Sequence, residues 1–143
     1  MLTMLGEYVH IMDSKGRLII PSKFREVLGE KFILTKGLDG CLFLYSEQEW
    51  DKFDEKLQTL PLTNSDARKF MRFFLAGASI CELDKQGRVL IPPTLRDFAC
   101  LEKEVVLVGV GKRGEIWNRS AWQETNQYKD MQDIAESMEG LGI

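Results

Sequence analysis

Cysteine and histidine are scarce in this sequence. Its three cysteines, Cys41, Cys81 and Cys100, are an odd number without close spacing. They supply neither a disulfide framework nor a set of zinc ligands, and they fit a reducing cytoplasm. His10 is the single histidine, so a Ser–His or Cys–His catalytic pair has one imidazole to draw on. Long apolar runs are missing as well. Stretches such as Phe73-Phe74-Leu75-Ala76 and Val105-Val106-Leu107-Val108 fall far short of the roughly 20 residues of a membrane-spanning helix. The opening Met1-Leu2-Thr3, leading at once into Gly6-Glu7-Tyr8, lacks the apolar segment of a signal peptide, so no membrane partner is expected. Nor is there an excess of positive charge. The 19 Lys and Arg against 22 Asp and Glu leave a formal net charge of −3. Local field counts for more than the total, so this mild acidity does not exclude a polyanionic partner.

What is present is apolar and aromatic material, 44% and 10% of the 143 residues, with 29% charged. That suits one compact domain, or two small halves sharing a core, and is too rich for a disordered chain. The charges are unevenly spread. Between Asp13 and Arg25 the bases Lys15, Arg17, Lys23 and Arg25 face Asp13 alone as basic-segment acid, and Lys85, Arg88 and Arg96 outnumber Asp84 in a second such stretch. The C-terminal stretch reverses the sign, with Glu124, Asp130, Asp133, Glu136 and Glu139 against Lys129.

The two basic stretches are copies of each other. Asp13-Ser14-Lys15-Gly16-Arg17-Leu18-Ile19-Ile20-Pro21-Ser22-Lys23-Phe24-Arg25 aligns without gaps on Asp84-Lys85-Gln86-Gly87-Arg88-Val89-Leu90-Ile91-Pro92-Pro93-Thr94-Leu95-Arg96, half a chain length later. Asp, Gly, Arg, Ile, Pro and Arg coincide. The pairs Leu18/Val89, Ile19/Leu90 and Phe24/Leu95 keep their apolar character, and Gly6 and Gly77 share the register. The chain is therefore a duplication, a pseudo-symmetric pair rather than a solenoid.

Each copy reads alike. A short strand (Tyr8 to Met12, Ser79 to Leu83) meets an Asp-x-x-Gly turn, and a second strand stops at Pro21 or Pro92. Ser22 is predicted to cap a short helix that carries Phe24, Val27 and Leu28 inward and stops at Gly29, while Pro93 and Thr94 open its equivalent. A hairpin follows in each half, Phe32 to Leu34 with Cys41 to Leu44, and Val105 to Val108 with Glu115 to Trp117. Ser46-x-x-Glu49 reads as a capping box before Trp50, Phe53, Leu57 and Leu60 at helical spacing. A helix from about Asn64 carries Ala67, Phe70, Met71 and Phe74 on one face and Arg68, Lys69 and Arg72 on the other. Ser120-x-x-Gln123 is predicted to cap one last helix bearing Tyr128, Met131, Ile134 and Met138. Each unit thus reads β-β-α-β-β-α. Short non-local strands of this kind favour barrel closure.

Several chemistries are formally available. Gly109-Val110-Gly111-Lys112-Arg113-Gly114 spells Gly-x-Gly-x-x-Gly, but the following Glu115-Ile116-Trp117 is strand, where a dinucleotide site needs a helix start. His10 and Cys81 occupy equivalent repeat positions, and two ligands do not make a metal site. Asp13 and Asp84 invite comparison with an acid dyad, yet no base, nucleophile and oxyanion set gathers around them. Cys41, Cys81 and Cys100 lie in apolar runs and read as buried. No catalytic residue, metal or cofactor is assigned, and no small-molecule substrate. What remains are the bases of the turns. Arg17 and Arg88 either pair with Asp13 and Asp84 in surface ion pairs or hold guanidinium groups toward phosphates and base edges. Retention of Asp-x-x-Gly-Arg in both halves favours the second, because solvent-facing turns have no packing reason to stay alike.

Gly6-Glu7-Tyr8 and the two segments Asp13 to Arg25 and Asp84 to Pro92 resemble the MraZ family over nearly the whole chain. The resemblance implies an α+β, mainly β fold: a pseudo-symmetric, double-psi-like β-barrel of two AbrB/SpoVT-type repeats with peripheral helices. The repeats are expected over residues 1–60 and 77–143, the second with a C-terminal helix, and a linking helix over 61–76. It further implies a ring-shaped homo-oligomer, such as an octamer. That ring would bind double-stranded DNA at promoter direct repeats and regulate the bacterial operon for cell division and cell-wall synthesis. The family's DNA-contacting arginine falls on Arg17 and, through the repeat, on Arg88. Lys15 matches the basic position of the first motif, where the second loop has Gln86. The resulting expectation is a cytoplasmic, nucleoid-associated transcription factor. Arg17 and Arg88 would contact DNA, Lys15 and Lys85 would lie on phosphates, and Asp13, Gly16, Asp84 and Gly87 would shape the loops. The competing expectation is an antitoxin-like or other protein-interaction barrel without enzymatic activity.

Overall fold

The structure is a computed structural model and describes residues 3–143. Its strands are β1 (Met4–Ile11), β2 (Arg17–Ile19), β3 (Lys31–Lys36), β4 (Leu42–Ser46), β5 (Ser79–Glu82), β6 (Arg88–Leu90), β7 (Glu104–Gly111) and β8 (Gly114–Asn118). The helices are α1 (Ser22–Leu28), α2 (Glu47–Gln58), α3 (Ser65–Ala76), α4 (Pro93–Phe98), α5 (Arg119–Thr125) and α6 (Met131–Ser137). The duplication is visible in this order, with β1, β2, α1, β3 and β4 answered by β5, β6, α4, β7 and β8.

The repeats exchange strands. One antiparallel sheet runs β1-β7-β8-β4-β3-β5, and β2 pairs with β6 in a separate two-stranded ribbon. The sheet reads the same from either end: β1 of the first repeat lies on β7 of the second, and β5 of the second lies on β3 of the first. Neither half has a complete sheet without the other. The fold is α+β with a large antiparallel sheet. Strand pairing among the described residues leaves β1 and β5 as the two ends of that sheet, so no closed hydrogen-bonded barrel forms. Three-residue strands at β2 and β6 have too few ladder groups to bond on both sides, and they spend them on each other.

Both faces of the sheet are covered, which explains the continuous apolar runs of its inner strands. Alternate residues divide between two cores. Phe32, Leu34, Leu42, Leu44, Val105, Leu107 and Ile116 join Leu18, Ile20, Phe24, Val89, Ile91 and Leu95 beneath the ribbon and the helices α1 and α4. Ile33, Phe43, Tyr45, Val106, Val108 and Trp117 pack on the other face with Leu57 and Phe74, under α2, α3 and α5. Thr35, buried on that second face, donates its hydroxyl to the Phe74 carbonyl at 2.7 Å.

Helix starts follow local chemistry, with two departures from the sequence reading. Ser46 Oγ accepts from Glu49 N–H at 3.2 Å and Asn64 Oδ1 from Ala67 N–H at 3.0 Å, as capping residues should. Ser22 caps nothing. Pro21 takes the cap position with φ −52° and ψ 140°, and Ser22 is already the first helical residue. The C-terminal segment is two helices rather than one. Its first cap is Asn118, whose Oδ1 accepts from Ala121 N–H at 3.0 Å while its amide donates to Cys100 O at 2.7 Å. With one local cap bond and one tertiary anchor, Asn118 fixes the helix start ahead of Ser120, and the helix ends at Thr125, before Asn126 leaves helical geometry at φ −110° and ψ 50°. No helix among the described residues is long and apolar enough to cross a membrane.

Candidate nucleic-acid interface

The Asp-x-x-Gly-Arg loops join β1 to β2 and β5 to β6 and are built by their aspartates. Asp13 Oδ1 accepts from the N–H groups of Lys15 (3.0 Å) and Arg17 (2.8 Å), and Asp13 Oδ2 accepts from Arg17 Nε at 2.6 Å. The turn closes with Gly16 N–H donating to Asp13 O at 3.0 Å, at a Gly16 φ of 86°. The second loop repeats this. Asp84 Oδ1 accepts from Gln86 and Arg88 N–H, both at 2.9 Å, and Oδ2 accepts from Arg88 Nε at 2.8 Å. Gly87 has φ 77°. A positive φ is open to glycine at little cost, which accounts for the invariant spacing in both copies. Both carboxyls are held below the ordinary carboxylate value, chiefly by the backbone N–H of the loop arginine and further by its guanidinium.

The two loops meet. Arg17 lies opposite Leu90, and Ile19 opposite Arg88, in the β2–β6 ribbon. Ile20 N–H donates to Gly87 O at 3.0 Å, and Ile91 N–H to Gly16 O at 2.9 Å. Arg88 Nη1 stands 3.9 Å from Asp13 Oδ2, across the repeat boundary. Arg17 and Arg88 therefore share one patch, with side chains 34% and 25% exposed. Each arginine pairs with its loop aspartate and keeps a guanidinium edge toward solvent, so the two readings of these residues are compatible.

The loops are not equal. Arg88 Nη2 also donates to Gln86 Oε1 at 2.6 Å, clamping its guanidinium on a second side. Lys15, in the place of Gln86, makes no such clamp, and Arg17 Nη atoms keep no hydrogen-bond partner among the described residues. Lys15 and Lys85 are exposed at the loop tips.

Two arginines absent from the sequence-predicted site belong to its base. Arg25 of α1 and Arg96 of α4 reach across the pseudo-two-fold to the opposite loops. The guanidinium of Arg96 packs under Gly16 and that of Arg25 under Gly87, where a Cβ would collide with them. The Nε atoms of both are buried with no hydrogen-bond partner, and neither group has a carboxylate partner among the described residues. The signal was present in the sequence, since these are the closing arginines of the aligned segments. Their destination depends on strand exchange, which the alignment does not show.

Other candidates lie elsewhere. His10 on β1 and Cys81 on β5 sit at opposite ends of the sheet order. The Gly-x-Gly-x-x-Gly segment is the β7–β8 hairpin, as the following strand required. Its Arg113 bonds the largely buried Glu115 (3.0 Å) and lies 4.5 Å over the Phe43 ring. Cys41 and Cys81 are buried, whereas Cys100 is exposed, against the expectation of three buried thiols. It lies just beyond α4, at φ 52°.

The family model described as "MraZ protein", with "antitoxin-like" in its description, matches the chain twice, over residues 3–73 and 74–141. The chain belongs to the MraZ family. It is 57% identical to the protein named Transcriptional regulator MraZ of Caldanaerobacter subterraneus subsp. tengcongensis, over 98% of this chain and 99% of that protein. It is 58% identical to the protein of the same name from Caldicellulosiruptor bescii, with the same coverage. With that of Acetivibrio thermocellus it shares 57% over 96% of this chain and 98% of the other. The doubled match of the MraZ model coincides with the doubled order of elements, and one Asp-x-x-Gly-Arg loop lies within each match.

Proposed function

We propose that this MraZ-family chain is a sequence-specific, double-stranded DNA-binding transcription regulator, acting in the nucleoid on the operon for cell division and cell-wall synthesis. The observation that carries this reading is the meeting of both loops in one patch, with the Arg17 guanidinium edge and Lys15 open to solvent. Arg17 and Arg88 offer planar donors to base edges and phosphates. Lys15 and Lys85 neutralise phosphates, and Asp13, Gly16, Asp84 and Gly87 hold the loops in shape. The free Lys15 and the clamp on Arg88 make the first loop the stronger contact. Arg25 and Arg96 add positive field from below without a carboxylate to cancel it.

A chain of net charge −3 needs several linked contacts to hold a polyanion. A ring, such as an octamer, supplies them. Its heterologous interfaces present successive patches in one orientation, and the matching DNA carries direct repeats about one helical turn apart. We read the β2–β6 ribbon over the six-stranded sheet as the barrel-like wrap that sets both loops on one side.

A gel shift with DNA from upstream of the protein's own gene, titrated with salt, tests this. Binding should weaken with a log–log slope of about −0.9 per neutralised phosphate. Arg17→Ala should weaken operator binding about 10- to 100-fold, the worth of a good bidentate base contact, with the assembly mass unchanged. Unaltered retention of Arg17→Ala overturns the reading. Capture of one stoichiometric protein, with no retention of DNA, supports the antitoxin-like alternative instead.

A further inference from the structure

The C-terminal segment carries an amphipathic helix whose apolar side is largely exposed among the described residues. Helix α6 packs substantially only against the turn that follows it. Met131 and Ile134 are 43% and 40% exposed, and Tyr128 and Leu141 more so. Met131, Ile134 and Met138 recur at helical spacing and form one stripe. The rest of the surface is acidic: Asp130, Asp133, Glu136 and Glu139 against Lys129.

A surface of opposite character lies on α3. Leu62, Met71 and Leu75 line an open groove of about 510 Å³, bordered by Arg68 and Arg72. The helix carries Lys69 besides, with Asp66 as its only acid. Met71 and Leu75 form one row at i, i+4 and Arg68 and Arg72 the next. An apolar stripe edged with carboxylates fits such a pair of rows. Among the other exposed apolar residues, Leu5, Val9 and Ile11 on β1 flank Glu7, which repels an acidic helix, and Ile19 and Leu90 lie on the ribbon beside the loops read above as the DNA contact.

We propose that α6 of one copy seats in the α3 groove of a neighbouring copy, its acidic side chains meeting Arg68 and Arg72. Within one copy α5 lies over β7 and β8, α2 over β3 and β4, and α3 over β3. Helix α2 thus stands between the end of α5 and the groove of its own chain. Repeated around a ring the contact is heterologous, tail to groove in one sense, and every copy both gives and receives. The inference rests on the multi-copy reading above and names the surfaces that would hold the copies together.

The test is the mass of the full chain by light scattering across a concentration series. Circular dichroism serves to show that each variant stays folded. Ile134→Asp, on an exposed position, should shift half-dissociation to at least tenfold higher protein concentration. The pair Arg68→Glu with Arg72→Glu should do the same. Adding Asp133→Lys and Glu136→Lys to that pair should restore association to within about threefold of the parent. An unchanged mass for Ile134→Asp overturns the inference while leaving the ring standing, and so does failure of the charge swap to restore association. An unchanged mass with a lowered melting temperature places α6 in its own copy's groove and also overturns it. A parent protein that is a single copy at every concentration removes the ring and this contact together.

Discussion

Alanine at Gly16 is a perturbation whose cost divides into two parts that one cycle of variants separates. The first is conformational. At φ 86° an L-residue brings its Cβ against the neighbouring carbonyl, at about 1–2 kcal/mol. The second is steric and comes from the other repeat. The added Cβ would lie 2.6 Å from Cζ and 2.7 Å from Nη1 of Arg96. The guanidinium end is flexible, so it retreats rather than blocking the fold, at about 1 kcal/mol, the lower range for overpacking. The total is about 2–3 kcal/mol. With melting shifts of about 3–5 °C per kcal/mol for a chain of this size, Gly16→Ala should melt about 6–15 °C lower at fixed protein concentration. In an Arg96→Ala background only the conformational part remains, so the same substitution should cost about 1 kcal/mol less. Urea unfolding of the four proteins gives the coupling directly. Equal costs in both backgrounds would refute the cross-repeat contact, and a cost below about 0.5 kcal/mol would refute the strained turn as well.

Phe74→Ala should destabilise by about 3–5 kcal/mol, read by urea unfolding, because Phe74 is 1% exposed and packs against Phe43, Phe53, Phe70 and Phe73. The loop carboxyls titrate lower folded than unfolded, so their contribution is fully present above the ordinary value of 3.8 and is lost as pH falls through the lowered one. The Arg17 and Arg88 amide signals should hence hold their positions from pH 7 to pH 5 and move only below 3.8, and movement near pH 5 would contradict the hydrogen bonding of Asp13 and Asp84. Burial pushes the Cys41 thiol up to about 12 and the Cys81 thiol to about 11, so iodoacetamide at pH 8 should label Cys100 alone until the protein is unfolded, as mass spectrometry of digests would show.

The local elements were legible because their signals are local. Short apolar runs, Asp-x-x-Gly turns, and Ser46 and Asn64 ahead of amphipathic stretches each place an element. Even so, β1 begins at Met4, four residues before the expected Tyr8, and β7 runs on to Gly111. The site residues were legible for another reason: duplication marks Asp13 to Arg17 and Asp84 to Arg88 as constrained beyond packing. What the sequence did not show is pairing. Nothing in β1 says that it leaves its own repeat to lie on β7, since its own β3 (Phe32, Ile33, Leu34) and the distant β7 (Val105 to Val108) both offer a continuous apolar run. The expectation of closure into a barrel rests on strand shortness and on the family resemblance, and strand shortness does not count the few ladder groups of Leu18 and Val89. Ser22 and Ser120 were read as caps by residue type, whereas Pro21 and Asn118 hold those places through backbone conformation and a tertiary bond to Cys100.

Strand exchange is also what makes two loops into one site. If β1 paired within its own repeat, each Asp-x-x-Gly-Arg turn would project from a separate hairpin, free to face any direction. Exchange places the turns against one another, with Gly16 O and Gly87 O each accepting from the opposite strand end and Arg96 and Arg25 each beneath the opposite glycine. A disturbance in one repeat therefore reaches the loop of the other. Arg96→Ala, in the second half, should remove the footing of the first loop while leaving its turn intact, and so weaken DNA binding through Arg17, whereas Arg25→Ala should act through Arg88. Because Arg88 is already clamped by Gln86 and Asp84 at 2.6 Å and 2.8 Å, its loop tolerates the loss better. Arg96→Ala should thus weaken retention in a gel shift several-fold more than Arg25→Ala. The reverse order would mean that each arginine serves the loop of its own repeat, and the exchanged wiring of the site would fall; equal losses would show that the clamp on Arg88 gives its loop no advantage.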